Sequence, residues 1–386
     1  MSTIDNASSQ NAAGNKPPLR VIVSGGGTGG HIFPAISIAN AVRERWADAE
    51  ILFVGAEDRM EMERVPAAGY KIIGLPVAGF DRKNMLKNLP VAVKLLRSMK
   101  LARKIVTEFR PDIAVGVGGY ASGPILRAAS AKGVPTLLQE QNSYAGVTNK
   151  MLAQKAATIC VAYEGMANFF PKEKIVLTGN PCRQDLVISD ENRMRGYEFF
   201  QLDPAKRTIL MVGGSLGART LNDSIVAALP ALAAQEDVQV IWQCGKYYFR
   251  EMQALQAEGK IPANVHLLDF VSRMDYAYSV ADLVISRAGA GSISEFCLLG
   301  KAVVLVPSPN VAEDHQTKNA QALVNKDAAV MVSDVLAPGL LFDVALSLVR
   351  NDIRLESLRR NIAEMAQHDS AKRIVDEIEK IVSAKH

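Results

Sequence analysis

The sequence predicts an α/β fold of two doubly wound, Rossmann-like domains facing each other across a cleft. Three observations carry this expectation. Continuous apolar runs recur along the chain without polar alternation, as in strands buried on both faces of a parallel sheet. Helical stretches with one apolar stripe separate them. A glycine-rich strand-to-helix turn opens the series at "RVIVSGGGTGGH", and a second reopens it at "RTILMVGGSLGA".

Residues 1–18 are polar and lack an apolar segment of secretory type, so they read as a disordered tail. The N-terminal domain is expected over 19–185, with strands at 20–24, 51–55, 71–77, 112–117, 135–140, 158–162 and 174–179. Its first helix aligns Ala35, Ile38, Ala39, Val42 and Trp46 on one face, with Pro34 expected in the first turn. The pattern pauses at "GNPCRQD" (179–185) and restarts in a C-terminal domain over 186–386. Its strands are expected from 207 and at 238–243, 265–270, 281–286, 302–307 and 328–333, and its first helix stacks Leu221, Ile225, Ala228 and Leu229. The C-terminal helices are candidates for packing back on the first domain.

Composition narrows the class. With 386 residues the chain exceeds one ordinary core, and 48% hydrophobic with 22% charged residues is a globular balance. A net charge of +4 is too mild to argue for nucleic acid. Cys160, Cys182, Cys244 and Cys297 are scattered without a C-x-x-C pair, which speaks against structural zinc and a disulfide framework. No apolar run approaches the ~18 residues of a membrane span.

Gly25, Gly27 and Gly30 satisfy G-x-G-x-x-G between strand and helix. Alone this fits a nicotinamide dehydrogenase, with Glu57 or Asp58 for the ribose, or a tight turn that only packs. His31 adds chemistry, because a helix N-terminus favours neutral imidazole and a neutral imidazole accepts a proton. Capping the helix is its plain alternative. A second cluster, "GVGGYASGP", follows the fourth strand, so two turns at one sheet edge offer amides to a diphosphate. "QEQNSYAGVTNK" puts Glu140 and Asn142 at the cleft rim, as proton-transfer or sugar-binding groups or as helix caps.

In the second half, "GGSLGA" supplies amides and Ser215, and "SRAGAGSISE" brings Glu295 to a helix start, suited to a ribose diol or to capping. Arg183 in "GNPCR" suits a diphosphate or a surface ion pair, and "EDHQTKNA" carries Gln316 to the same edge. There is no D-x-D, so no aspartate-bound metal is expected, and leaving-group charge falls to helix ends, amides and Arg183; no cofactor is expected either. Between 79 and 109, Arg82, Lys83, Lys87, Lys94, Arg97, Lys100, Arg103 and Lys104 interleave with Phe80, Met85, Leu86, Leu89, Leu95, Leu96 and Met99. That mixture suits an anionic membrane surface, or a helix with one core face and one solvated face.

Taken in order from residue 25 to 320, "GGGTGGHIFPA", "GVGGYASGP", "EQNSYAGVTNK", "GNPCR", "GGSLGA", "SRAGAGSISE" and "HQTKNA" resemble the MurG family, the peptidoglycan GlcNAc transferases. The resemblance implies the two-domain, B-type glycosyltransferase arrangement and inverting transfer of GlcNAc from UDP-GlcNAc to the C4 hydroxyl of undecaprenyl-diphosphate-linked MurNAc-pentapeptide (lipid I), giving lipid II on the cytoplasmic face of the plasma membrane. It implies a donor site of Thr28, Gly29, Gly30, Asn142, Arg183, Ser215, Val271, Ala290, Gly291, Ser292, Ile293, Ser294, Glu295 and Gln316. Gly26, Gly27, Gly118, Gly119 and Tyr120 would meet the acceptor diphosphate, and residues 79–104 the membrane. His31 is the first candidate base and Glu140 the second. The alternatives are another UDP-sugar enzyme (a lipid glucosyltransferase or a UDP-GlcNAc epimerase), a dehydrogenase that leaves "GGSLGA" and "SRAGAGSISE" without a task, and a nucleotide-sugar sensor.

Overall fold

A computed structural model describes residues 17–77, 89–182, 186–214 and 216–384. Its first half runs β1 (Arg20–Gly25), α1 (Gly29–Arg45), β2 (Glu50–Ala56), α2 (Glu61–Ala67), β3 (Lys71–Leu75), α3 (Leu89–Phe109), β4 (Ile113–Gly118), α4 (Ser122–Ala131), β5 (Thr136–Glu140), α5 (Val147–Leu152), β6 (Thr158–Val161) and β7 (Ile175–Leu177). The second half opens with α6 (Asp190–Phe199), β8 (Arg207–Val212), α7 (Arg219–Ala233), β9 (Val238–Gln243), α8 (Phe249–Ala257), β10 (Val265–Leu268), α9 (Met274–Val280) and β11 (Leu283–Ser286). It closes with α10 (Ala290–Leu299), β12 (Val303–Leu305), α11 (His315–Val324), β13 (Val330–Met331), α12 (Ala337–Val349), α13 (Asp352–Ala363) and α14 (Ser370–Ser383).

The strands form two parallel sheets, β3-β2-β1-β4-β5-β6-β7 and β10-β9-β8-β11-β12-β13. Each order reverses once, between β1 and β4 and between β8 and β11. Turns leaving strands on either side of such a reversal splay apart and open a crevice at the carboxyl edge. Every glycine-rich turn singled out in the sequence leaves one of these four strands. The β1–β4 register also slips at Ser24/Gly25, where the first turn begins.

Buried aliphatic side chains cover both sheet faces. Val21 and Val23 of β1 and Ile113 and Val115 of β4 pack under Ile32, Ala35, Ile38 and Val42 of α1. Pro34 is the sixth residue of α1, beyond the expected first turn, so Gly30 C=O receives no helical N–H from that position. The last helix completes this layer: Ile374, Val375, Ile378 and Val382 of α14 belong to the same cluster. Arg45 of α1 clasps Asp376 at 2.6 Å and also pairs with Glu379. The far C-terminal segment is thus core of the first sheet, and the two halves cannot be separated by one cut.

Ile378 is fully buried, so Ile378→Ala should cost about 2–5 kcal/mol in urea unfolding. A cost near zero would mean that α14 is not part of this core.

Candidate active site

The first turn is held from both sides. Glu61, at the start of α2 and fully buried, accepts Gly27 N–H through Oε2 and Ala56 N–H through Oε1, both at 2.9 Å. On the other side lies the turn after β4, with Gly118 and Gly119 at φ of 100° and 88°. A Cβ on Gly119 would stand 2.5 Å from Gly26 O, and one on Gly118 would stand 2.8 Å from the His31 ring. Both positions therefore need glycine for approach as well as for conformation. Ser122 fixes the second turn to β1 by donating to Ser24 O at 2.9 Å and Gly118 O at 2.8 Å. Tyr120 projects from it, exposed.

His31 sits at the third position of α1, half-buried between the two turns. Thr28, the residue before the helix, places Oγ1 3.4 Å from His31 Nδ1, and Gly29 and Gly30 form the first turn. Burial lowers the His31 pKa from its ordinary value. A backbone hydrogen bond at Gly26 opposes that shift, His315 across the cleft adds to it, and Glu61 weakly opposes it. The balance favours the neutral ring, which can accept a proton.

Glu140, at the end of β5, is buried. Its oxygens receive Gly146 N–H at 3.0 Å, Asn149 Nδ2 at 2.9 Å, and the backbone and side-chain amides of Asn142 at 3.2 and 3.3 Å. Burial raises its pKa while these bonds counteract it. The carboxyl is enclosed by its own loop, an arrangement that shapes the 141–149 segment and aims Asn142.

On the donor side, α10 begins at Ala290 with Gly289 as its N-cap, so Ala290, Gly291 and Ser292 form an uncapped first turn. Ile293 points into the core, and Ser294 Oγ bonds Ala290 O and receives Asn180 Nδ2, both at 3.0 Å. Glu295 is half-buried and accepts a 3.1 Å bond from Tyr278. Gln316 Oε1 accepts Ser308 N–H at 2.9 Å, and the Val271 side chain is buried. Arg183, Ser215 and residues 78–88 lie outside the described residues.

Several groups escaped sequence reasoning. Glu61 is one of four acidic residues between 57 and 63, and nothing local separates it from Glu57 and Asp58, which are exposed. Its carboxyl engages the Gly27 amide, one of those a dinucleotide pyrophosphate would use, which disfavours the dehydrogenase alternative. Asn180, buried between the halves, accepts from Gln139 Nε2 at 3.0 Å and donates to Gln141 O and Ser294 Oγ. Arg287 pairs with Asp334, which also accepts Thr220 Oγ1 at 3.0 Å, tying the turns after β8 and β11 together.

Two switch-point sheets joined through the 140s loop, α10 and α11 define a two-domain glycosyltransferase. Residues 21–161 match the glycosyltransferase family 28 N-terminal domain and residues 208–374 its C-terminal domain. The chain is 65% identical over 367 residues to a UDP-N-acetylglucosamine–N-acetylmuramyl-(pentapeptide) pyrophosphoryl-undecaprenol N-acetylglucosamine transferase of Parabacteroides distasonis, covering 95% of this chain and 99% of that one. A protein of the same description from Bacteroides thetaiotaomicron is 61% identical over 369 residues, with 95% and 99% covered. The crystal structure of Acinetobacter baumannii MurG superposes with a TM-score of 0.76 at 31% identity, covering 94% of this chain and all of that one. The chain belongs to the MurG family.

Glu61→Ala should leave the buried Ala56 amide without an acceptor, costing about 1–3 kcal/mol in chemical denaturation, and free the Gly27 amide of the first turn, lowering turnover. Glu61→Gln, which still accepts one bond, should lose less. Equal stability of wild type and Glu61→Ala would show that the carboxyl does not hold the turn.

Proposed function

We propose that the chain transfers GlcNAc from UDP-GlcNAc, with inversion, to the C4 hydroxyl of MurNAc in undecaprenyl-diphospho-MurNAc-pentapeptide, forming lipid II. The observation that carries this reading is the half-buried His31, favoured as neutral imidazole, between the two glycine turns of the acceptor-side sheet. The acceptor oxygen bonds to the anomeric carbon as its proton passes to His31, and the bond to UDP breaks with the electron pair leaving on the diphosphate. General-base assistance of this kind contributes about 10²–10⁴-fold. Glu140 supports the loop that presents Asn142 and stays out of the proton path.

The donor is assigned to Thr28, Gly29, Gly30, Asn142, Arg183, Ser215, Val271, Ala290 to Glu295, and Gln316. Its diphosphate meets the N-terminus of α10, a ten-residue helix whose first amides carry no side-chain cap. Glu295, steadied by Tyr278, takes the ribose diol. Ile293 contributes backbone only, because its side chain is core. The acceptor diphosphate is assigned chiefly to Gly118, Gly119 and Tyr120. In the first turn Gly26 remains a candidate, whereas the Gly27 amide is engaged by Glu61.

With a lipid-linked acceptor, the enzyme is proposed to work at the plasma membrane, on its cytoplasmic surface. No described helix is long and apolar enough to cross a membrane, so peripheral docking is proposed. Supporting it, α3 turns Ala102, Ile105 and Val106 to the core and leaves Leu95 and Leu96 exposed. An apolar groove of about 800 Å³ runs from them to Met151 and Tyr120, with Arg103, Arg127 and Lys155 among its cations. Apolar side chains flanked by cations match an anionic bilayer surface.

Incubation with labelled UDP-GlcNAc and a lipid I analogue should yield labelled disaccharide lipid, and no product would refute the assignment. His31→Ala should lose about 10²-fold or more in kcat, and near-normal kcat with Glu140 intact would remove His31 as base. With its pKa lowered, His31 stays deprotonated as pH falls through 6.5. The acidic limb of kcat/KM should therefore have its midpoint below 6.5, and a midpoint above it would contradict the assignment. Leu96→Glu should weaken salt-sensitive binding to anionic vesicles about tenfold, by adding like charge and removing apolar contact. Equal binding of the wild type to neutral vesicles would count against this surface.

A further inference from the structure

Asn319 lies on α11 three residues after Gln316 and four after His315, so all three share the face turned to the cleft. Its side chain is fully buried. Oδ1 accepts Ser143 N–H at 2.9 Å and the Ser143 hydroxyl at 3.1 Å. Nδ2 donates to Asn142 Oδ1 at 3.1 Å and to Ala288 O at 3.4 Å. Two lone pairs and two N–H groups are the full capacity of an amide, and all four are used. The orientation is unambiguous, because a backbone N–H can only donate and a backbone carbonyl can only accept.

These partners belong to different halves of the molecule. Asn142 and Ser143 lie in the loop aimed by Glu140, on the first sheet. Ala288 leads into Gly289 and the start of α10 on the second. We propose that Asn319 is a positioning residue for glycosyl transfer: one buried amide sets the Asn142 turn of the first sheet against the turn of the second sheet that starts α10. Its bond to Asn142 Oδ1, with Glu140 receiving the Asn142 amide, directs that side chain from both ends. Substituting Asn319 removes the partner of the half-buried Ser143 N–H and of the buried Ala288 carbonyl and lets the two turns slide. Sub-ångström misplacement of reacting groups is expensive in rate.

The inference rests on the transferase reading, so its test has one arm that needs no activity. In the full-length protein, amide hydrogen exchange at Ser143 should be slow in the wild type and at least tenfold faster in Asn319→Ala, and unchanged exchange would overturn the latch. In the transfer assay, Asn319→Ala should lower kcat by about 10²-fold, with UDP affinity by calorimetry kept within about threefold. Asn319→Asp is isosteric and still accepts from Ser143 but cannot donate to Asn142 and Ala288, so its kcat should also fall, with little change in melting temperature. The Asn142→Ala/Asn319→Ala double variant should be little worse than Asn319→Ala alone, the mark of residues acting together. Near-normal kcat in Asn319→Asp, or fully multiplicative losses in the double variant, would overturn the proposal. A wild type that exchanges slowly at Ser143 but makes no disaccharide lipid would instead refute the assigned reaction.

Discussion

The architecture of the acceptor side depends on one close approach, the backbone of Gly119 against the backbone of Gly26. The two turns leave neighbouring strands of the first sheet, and only the absence of Cβ atoms lets them touch. That contact creates the pocket into which α1 delivers His31, and burial in that pocket favours the neutral ring. The same approach requires the first turn to be braced from behind, and Glu61 does so. Fold, loop geometry and proton affinity are therefore consequences of one packing constraint.

The second sheet repeats the topology with different chemistry. Its turns are joined through Arg287, Asp334 and Thr220, and α10 starts with no side chain capping its amides. An open helix N-terminus beside a half-buried carboxylate suits a nucleotide diphosphate with its ribose. An imidazole between glycine turns suits a hydroxyl that must lose a proton. In the proposed reaction the division of labour between the sheets follows from which side chains occupy equivalent turns, because the backbone topology is nearly the same in both.

Much of this was legible in the sequence because it is encoded locally. The runs from "RVIVS" to "AAVMVS" become strands near the expected places, since continuous apolar stretches bounded by turns leave few alternatives. The glycine turns and His31 were visible because their spacing is short. What stayed hidden depends on distant partners. Glu61 reaches back 34 residues to Gly27, and Asn319 reaches 177 to Asn142. No linear pattern distinguishes either from a solvated side chain. Pro34 was misplaced by a turn because the helix begins at Gly29, among glycines with weak helical preference. Glu140 fits a base or a helix cap in the sequence, and its bonds to Gly146 and Asn149, six and nine residues on, follow no local pattern.

The central claim is that packing between the glycine turns keeps His31 neutral and ready to take a proton. The direct measurement is an NMR titration of the histidine imidazoles in the isotopically labelled protein, with His31 assigned by comparison with His31→Gln. The account predicts a midpoint for His31 below 6.5 that moves back toward that value when Gly119→Ala forces the turns apart. A midpoint at or above 6.5 in the wild type, unmoved by that substitution, would contradict it.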